Sequence, residues 1–380
     1  MTLAARHALV FATQFAAVGV ILPFLPAVLA GHGLSAEQVA VVLAVGSAVR
    51  LVAGPLGGRI ADAIGNAPAV LAASAAISAL AACGFLLPAG FLALLLVQAV
   101  HSAAIAPIVP LTDAVAVTAA RGKPGFDYAR VRAAGSIAFI LAALAGGQAV
   151  ALAGIQGAVV VLVLCLAGTA VAALLLPRPP AGASRAARGW AGFLAPLRIR
   201  AFRRLLAVSA LIQASHAMYY AFGTLHWQAA GLGPGLIGAL WATGVVAEVA
   251  LFLWGRGIVA RLGPTGLSLV AAGAGVLRWA ITAATVDPLF LFPAQMLHAA
   301  TFGMQHLAAM AVLARVVPPA EAATAQTLHA ALGVGLWMML VTLACGPAYA
   351  ALGGLGFWGM AALSLAAIPA SLALGRALRR

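Results

Sequence analysis

Four ionisable residues, Arg50, Asp113, Glu248 and Arg278, stand inside stretches that otherwise read as hydrocarbon-embedded helix. An ionisable side chain at that depth costs from about 2.5 kcal/mol upward, so its presence points to a job. Arg50 lies nine residues from Arg59, Asp113 eight from Arg121, and Glu248 eight from Arg256. With a helical rise of ~1.5 Å per residue, all three sit roughly 12–14 Å inside the same membrane face. Arg50 and Asp113, opposite in charge at matching depth, are expected to pair. Glu248 has no cation at its own depth, and a buried carboxylate without a good partner holds its proton readily. It is the first candidate for a coupling proton site, with a Glu248–Arg278 bridge as the competing structural role. Either arginine could meet an anionic solute, because guanidinium binds carboxylate through two parallel bonds.

A second set of candidates comes from spacing. Gln213, His216, Tyr220, Thr224 and Trp227 follow one another at steps of three, four, four and three, which makes one narrow stripe on a helix. Gln295, His298, Phe302 and His306 repeat the device in a later run. A polar and aromatic stripe in hydrocarbon is expected to face a bundle interior or a wet path. Tyr220 and Trp227 could sandwich a ring, and neutral imidazoles could donate to a carboxylate or hydroxyl. Gln14 and His101 are weaker additions to the same cavity.

Other chemistries lack their residues. No Gly-x-x-x-x-Gly-Lys-[Ser/Thr] loop occurs, so no nucleotide-driven engine is visible. His298 and His306 are eight apart with no acid between them, which is not a metalloenzyme spacing. Cys83, Cys165 and Cys345 lie singly in different runs and offer neither a metal set nor a disulfide framework. No enzyme activity, cofactor or metal is expected.

The elements that must carry these residues are membrane helices. The chain is 64% hydrophobic and 7% charged over 380 residues, against roughly 25% charged in soluble domains. Twelve runs are long enough to cross ~30 Å of hydrocarbon: 5–30, 36–60, 67–87, 90–119, 133–153, 156–176, 202–230, 234–255, 265–286, 288–317, 324–350 and 355–374. The expected class is an all-α integral membrane protein with two six-helix bundles, 1–177 and 202–380. A basic linker, 178–201, joins them on the cytoplasmic face. All but two of the 21 Lys and Arg fall at alternate turns or at the ends, which predicts both termini in the cytoplasm. The formal charge of +14 is thus spread over topology-setting loops rather than one reading surface, and nucleic acid is not an expected partner. The bilayer, protons and a small solute are, with a monomer as the default.

A faint duplication supports two halves. A shift of 198 residues lays Gly57 on Gly255, Gly65 on Gly263 and Arg50 on Glu248. The stretch Gly54-Pro-Leu-Gly-Gly58-Arg59-Ile-Ala-Asp62-Ala-Ile-Gly65 resembles the loop signature of the major facilitator superfamily. Ala63, Asn66 and Ala67 stand where that signature is usually basic. Gly58 and Gly65 suit close helix approach and a tight turn, and Arg59 and Asp62 complete a candidate gating loop. Pro110-Leu-Thr-Asp113, Tyr128-Ala-Arg130-Val-Arg132-Ala-Ala-Gly135-Ser136, Leu277-Arg278-Trp279 and Gln295-Met-Leu-His298-Ala-Ala-Thr-Phe302-Gly303-Met-Gln-His306 are similar to the phenylpropionate-permease branch, near the lactose-permease group. Ala129 and Ala134 depart from that branch. The resemblance implies alternating access across a bacterial inner membrane and commonly proton-coupled uptake of a small organic solute. Within it, spans one, four, seven and ten border the central cavity. An aromatic or other carboxylate is the favoured solute. The alternatives are a proton-antiport exporter, a nucleoside or sugar symporter, a non-transporting receptor and an intramembrane enzyme.

Overall fold

The computed structural model describes residues 1–120, 126–177, 194–318 and 321–379. Most of the basic linker, together with Arg121, Lys123 and Arg380, lies outside them. The described residues form helices and no strand, as expected where lipid cannot satisfy backbone groups and each span must bond internally. Among the described residues, eleven helical segments are long and apolar enough to span a bilayer. The last, Thr324–Leu378, has 55 residues and would be about 80 Å long as one helix, far beyond a bilayer. It breaks at Gly353, where φ is 54°, into two spans, which makes twelve.

Local chemistry sets the helix ends. The Thr2 hydroxyl accepts from the Ala5 amide at 3.2 Å. Ser35 and Gln38 form a reciprocal capping box at the start of span two. Asn66, Asp127 and Asp287 cap three later spans with their carbonyl or carboxylate oxygens. Span two ends on Gly65 in the left-handed region, φ 68°, and its counterpart 198 residues on, Gly263, has φ 60°. The two glycines paired by the shift share a positive φ but not a conformation: ψ is 17° at Gly65, in the left-handed helical region, and 177° at Gly263.

The chain packs as two compact units, residues 1–189 with 232–242, and residues 190–231 with 243–380. In the first unit, span one (Leu3–Gly31) lies on span five (Tyr128–Ala153) so closely that a Cβ on Gly19 would fall 2.5 Å from the Phe139 carbonyl oxygen. The opening turns of span eight (Pro234–Trp254) belong to this unit, where Gly238 lies against the Ala143 carbonyl. The second unit is cored by Phe202, Leu205, Val208 and Ile212 of span seven, with Ala271, Ala309, Val312, Ala367 and Leu374.

Two spans of the second unit are irregular at the candidate site. Span seven breaks between Arg200–Ala214 and Ala217–Ala229, with Ser215 and His216 at the joint. Span ten begins as Pro288–Met296, passes through a π-helical turn at Ala299–Met304, and resumes as Gln305–Val316. Such a turn inserts an extra residue and resets which side chains share a face.

Candidate functional site

Arg278 of span nine is fully buried in the second unit. Its Nη1 donates to His298 Nδ1 at 3.1 Å and to Thr301 Oγ1 at 3.0 Å. Its Nη2 donates to Gln295 Oε1 at 2.9 Å. The guanidinium also lies against two rings, with its carbon 4.8 Å from the Tyr219 centroid and 4.5 Å from that of Trp279. These contacts offset part of the cost of a buried cation. None of them is a carboxylate.

The protonation pattern follows from donor logic. Guanidinium can only donate, so His298 Nδ1 accepts and the ring proton sits on Nε2. That nitrogen is 3.7 Å from Glu248 Oε2. His216 shows the converse pattern: its Nδ1 is 3.0 Å from the Ile212 carbonyl oxygen, which can only accept. His216 Nε2 lies within hydrogen-bond distance of the Thr301 hydroxyl, 3.0 Å away. Arg278 is thus hydrogen-bonded to His298, whose other ring nitrogen faces Glu248. Span seven positions its share through the break at Ser215, whose hydroxyl accepts from Trp279 Nε1 at 3.0 Å. His216 stacks on Tyr220 and meets Trp279 edge-on, with centroids 5.7 and 5.2 Å apart.

His298 stands between Glu248 and Arg278, the two residues of the competing structural bridge. The two stripes converge in part. Gln295, His298 and His216 join Arg278 directly, and Phe302 stacks on His298 with centroids 5.2 Å apart. Tyr220 joins through His216. Gln213 contributes its backbone carbonyl, 3.3 Å from His216 Nδ1. Thr224 and Trp227 are buried, and Trp227 packs on Tyr219 rather than on Arg278. His306 does not extend the stripe; it is exposed. The π turn carries the buried face from His298 to Thr301 and then to Gln305, which donates from Nε2 to Ser209 Oγ at 3.1 Å. Ser209 in turn meets His329 Nε2 at 2.8 Å. Thr301 and Gln305 lie off the stripe given by helical spacing, because the π turn breaks the 3.6-residue period that such spacing assumes; Ser209 and His329 lie outside both stripes, on spans seven and eleven.

The first unit overturns the Arg50–Asp113 pair. Asp113 Oδ1 accepts from Tyr128 at 3.0 Å and lies 3.5 Å from Arg132 Nε. Arg132 in turn covers the Phe15 ring, 4.2 Å from its centroid. Equal depth was the only warrant for Arg50, and depth says nothing of direction around a helix. Arg50 instead donates to Ser47 Oγ at 3.1 Å. Gln14 accepts from the Thr112 hydroxyl at 2.9 Å, joining spans one and four. His101 is buried against Ser78, 3.0 Å away, on span three. Arg50 lies near enough to His101 for its charge to act on the ring, while Gln14 and Asp113 keep the separate partners given above.

The gating-loop candidates also shift. Span two runs to Ile64, so Arg59 and Asp62 ride its last turns, both exposed, rather than standing in a loop. The close approach belongs to Gly57, whose missing Cβ leaves room for the Pro107 ring, while Gly58 faces open space.

Comparison with known proteins agrees with this architecture. The MFS_1 like family model matches residues 6–358. The chain is 34% identical to the "Probable 3-phenylpropionic acid transporter" of Escherichia coli (strain K12), over 95% of each chain. It is 28% identical to maltose permease of Geobacillus stearothermophilus, over 87% of this chain and 84% of that one. Among solved structures, the nucleoside transporter NupG (D323A mutant) aligns with a TM-score of 0.83 at 19% identity, over 98% of this chain and 100% of that one; at that identity the likeness speaks for the fold alone. The chain belongs to the MFS_1 like family, and it is a multi-pass membrane transporter of the major facilitator fold rather than an enzyme.

Proposed function

We propose that this chain is a proton-coupled symporter that takes up a small organic acid, an aromatic carboxylate by preference, through alternating access. One observation carries the proposal: a fully buried guanidinium whose hydrogen bonds all go to neutral side chains. A buried cation without an adjacent carboxylate has unspent affinity for an anion. The ring faces of Tyr219, Tyr220, Trp279 and Phe302 near it suit an aromatic solute. The relative's name, which gives 3-phenylpropionic acid, points to the same class.

Coupling follows from charge balance. Without solute, Glu248 faces Arg278 through His298. A solute carboxylate on Arg278 adds a second negative charge to one buried positive charge. Protonation of Glu248 removes the excess, so that solute and proton enter and leave together. The same proposal takes the protein as a monomer of a bacterial inner membrane; the basic residues at the ends and at alternate turns support cytoplasmic termini.

Uptake of labelled 3-phenylpropionate into proteoliposomes tests the proposal. An inward-directed acid gradient should drive accumulation above the level without a gradient, and unlabelled maltose or uridine should not compete. Gradient-independent equilibration, or efflux driven by the same gradient, contradicts symport; competition by maltose or uridine contradicts the solute class.

A further inference from the structure

The hydrogen-bonding capacity of Arg278 is used unevenly. Nη1 donates to both His298 and Thr301 and is saturated. Nη2 makes one bond, to Gln295, and the buried Nε makes none. The Nε–Nη2 edge is the fork that matches a carboxylate with two parallel bonds, and here it is half filled by an amide. Gln295 is itself fully buried. Because guanidinium can only donate, its Oε1 must face Nη2. Its Nε2 then stands about 2 Å away on the same planar amide, and that nitrogen too has no partner. Two unpartnered N–H groups, Arg278 Nε and Gln295 Nε2, thus flank the one bond that joins their side chains. Both are donors, and a ligand that satisfies both must bring acceptors.

From this geometry we infer that Gln295 is a specificity-determining residue, holding the open edge of Arg278 as a clamp for a carboxylate. This rests on the organic-acid reading above and extends it to a residue and a ligand atom set. In the bound state one carboxylate oxygen takes Arg278 Nε, and the other takes Nη2 in place of the amide oxygen. The Gln295 amide turns to donate from Nε2 to that same oxygen. A sugar or nucleoside, whose hydroxyls must also find acceptors, leaves its own donors unmet here. The position of Gln295 on span ten suits this role: it lies in the helix that precedes the π turn, one turn before His298. The side chain on the acid edge of Arg278 and the side chain on its relay edge therefore belong to one short segment.

The test compares wild type with Gln295→Glu and Gln295→Met in purified full-length protein, using 3-phenylpropionate and its uncharged isostere 3-phenylpropionamide in calorimetric titrations. Gln295→Glu puts a fixed carboxylate on the fork, so acid binding should fall about a hundredfold, the scale of a displaced charge-assisted pair. Gln295→Met keeps the volume and loses the donor, so acid binding should fall about tenfold, the scale of one hydrogen bond to a charge. The amide should bind wild type and the Met variant with affinities within about threefold of each other, because its neutral carbonyl gains little from the clamp. The inference is overturned if Gln295→Glu binds the acid as wild type does, or if Gln295→Met weakens acid and amide alike, which marks a packing role. A wild-type protein that binds neither probe defeats the organic-acid reading itself, a separate result. Monodisperse elution and an unchanged thermal midpoint of the Met variant establish that it is folded.

Discussion

The two units treat charge inside the membrane in opposite ways. In the first, Asp113 has Arg132 and Tyr128 on one carboxylate oxygen, and both members of the ion pair remain about a third exposed. That is a charge neutralised on the spot by a direct partner. In the second, Arg278 is wholly buried and its balancing carboxylate stands one imidazole away. Direct pairing stiffens a bundle and asks for nothing more. Separation through a neutral, titratable ring leaves the guanidinium able to take another partner. This contrast is why we propose solute and proton handling in the second unit and a structural tie in the first.

The contrast can be broken or sharpened by substitution. The largest effect is expected from Arg278→Gln, which removes the anion-binding charge: uptake of 3-phenylpropionate in proteoliposomes should drop about a hundredfold. Uptake within a few-fold of wild type would place the solute elsewhere. Next comes Glu248→Gln. Accumulation driven by an acid gradient should fall at least about tenfold, whereas exchange of labelled for unlabelled solute, which needs no net proton movement, should persist. Gradient-driven accumulation that stayed fully pH-dependent in this variant would remove the proton role.

The first unit should respond in stability rather than in coupling. A double-mutant cycle on Asp113→Asn and Arg132→Gln, read by thermal unfolding in detergent, should return an interaction of about 0.5–1 kcal/mol, discounted for the exposure of the pair. The same cycle with Arg50→Gln should return none; a larger value there would restore the pairing that depth alone suggested. Span two offers a packing test within the same unit. Gly57→Ala pushes a methyl into the Pro107 ring and should cost about 1–3 kcal/mol. Gly58→Ala meets no atom and should stabilise by up to about 1 kcal/mol through helix propensity. Equal midpoints for the two variants would contradict the close approach at Gly57.

The fold was legible in the sequence because the signals that define it are long-range averages. Apolar run length and basic loops survive an error of a few residues at any boundary, and the span pattern of the structure follows them. The site was legible only where local geometry was regular. His216, Gln295 and His298 converge because each lies within a turn or two of its stripe's origin. His306 falls off because the π turn at Ala299–Met304 intervenes, and no residue type announces that turn in advance. Thr301 went unnoticed for the same reason, although it touches both Arg278 and His216. Arg132 was counted as a topology-setting loop cation, and its stacking on Phe15 is visible only once spans one and five are packed. The glycines divide along similar lines. Gly65 and Gly263 were legible from their spacing, while the choice between Gly57 and Gly58 required knowing which faced Pro107.

The most direct measurement of the central claim is a calorimetric titration of 3-phenylpropionate into the purified protein and into Arg278→Gln, run in two buffers of different ionisation enthalpy. Binding to wild type should be accompanied by uptake of a proton, seen as a buffer-dependent heat, and should weaken about a hundredfold in the variant. Undiminished affinity in Arg278→Gln, or wild-type binding with no buffer-dependent heat, would contradict an anion and a proton meeting at the buried guanidinium of the second unit.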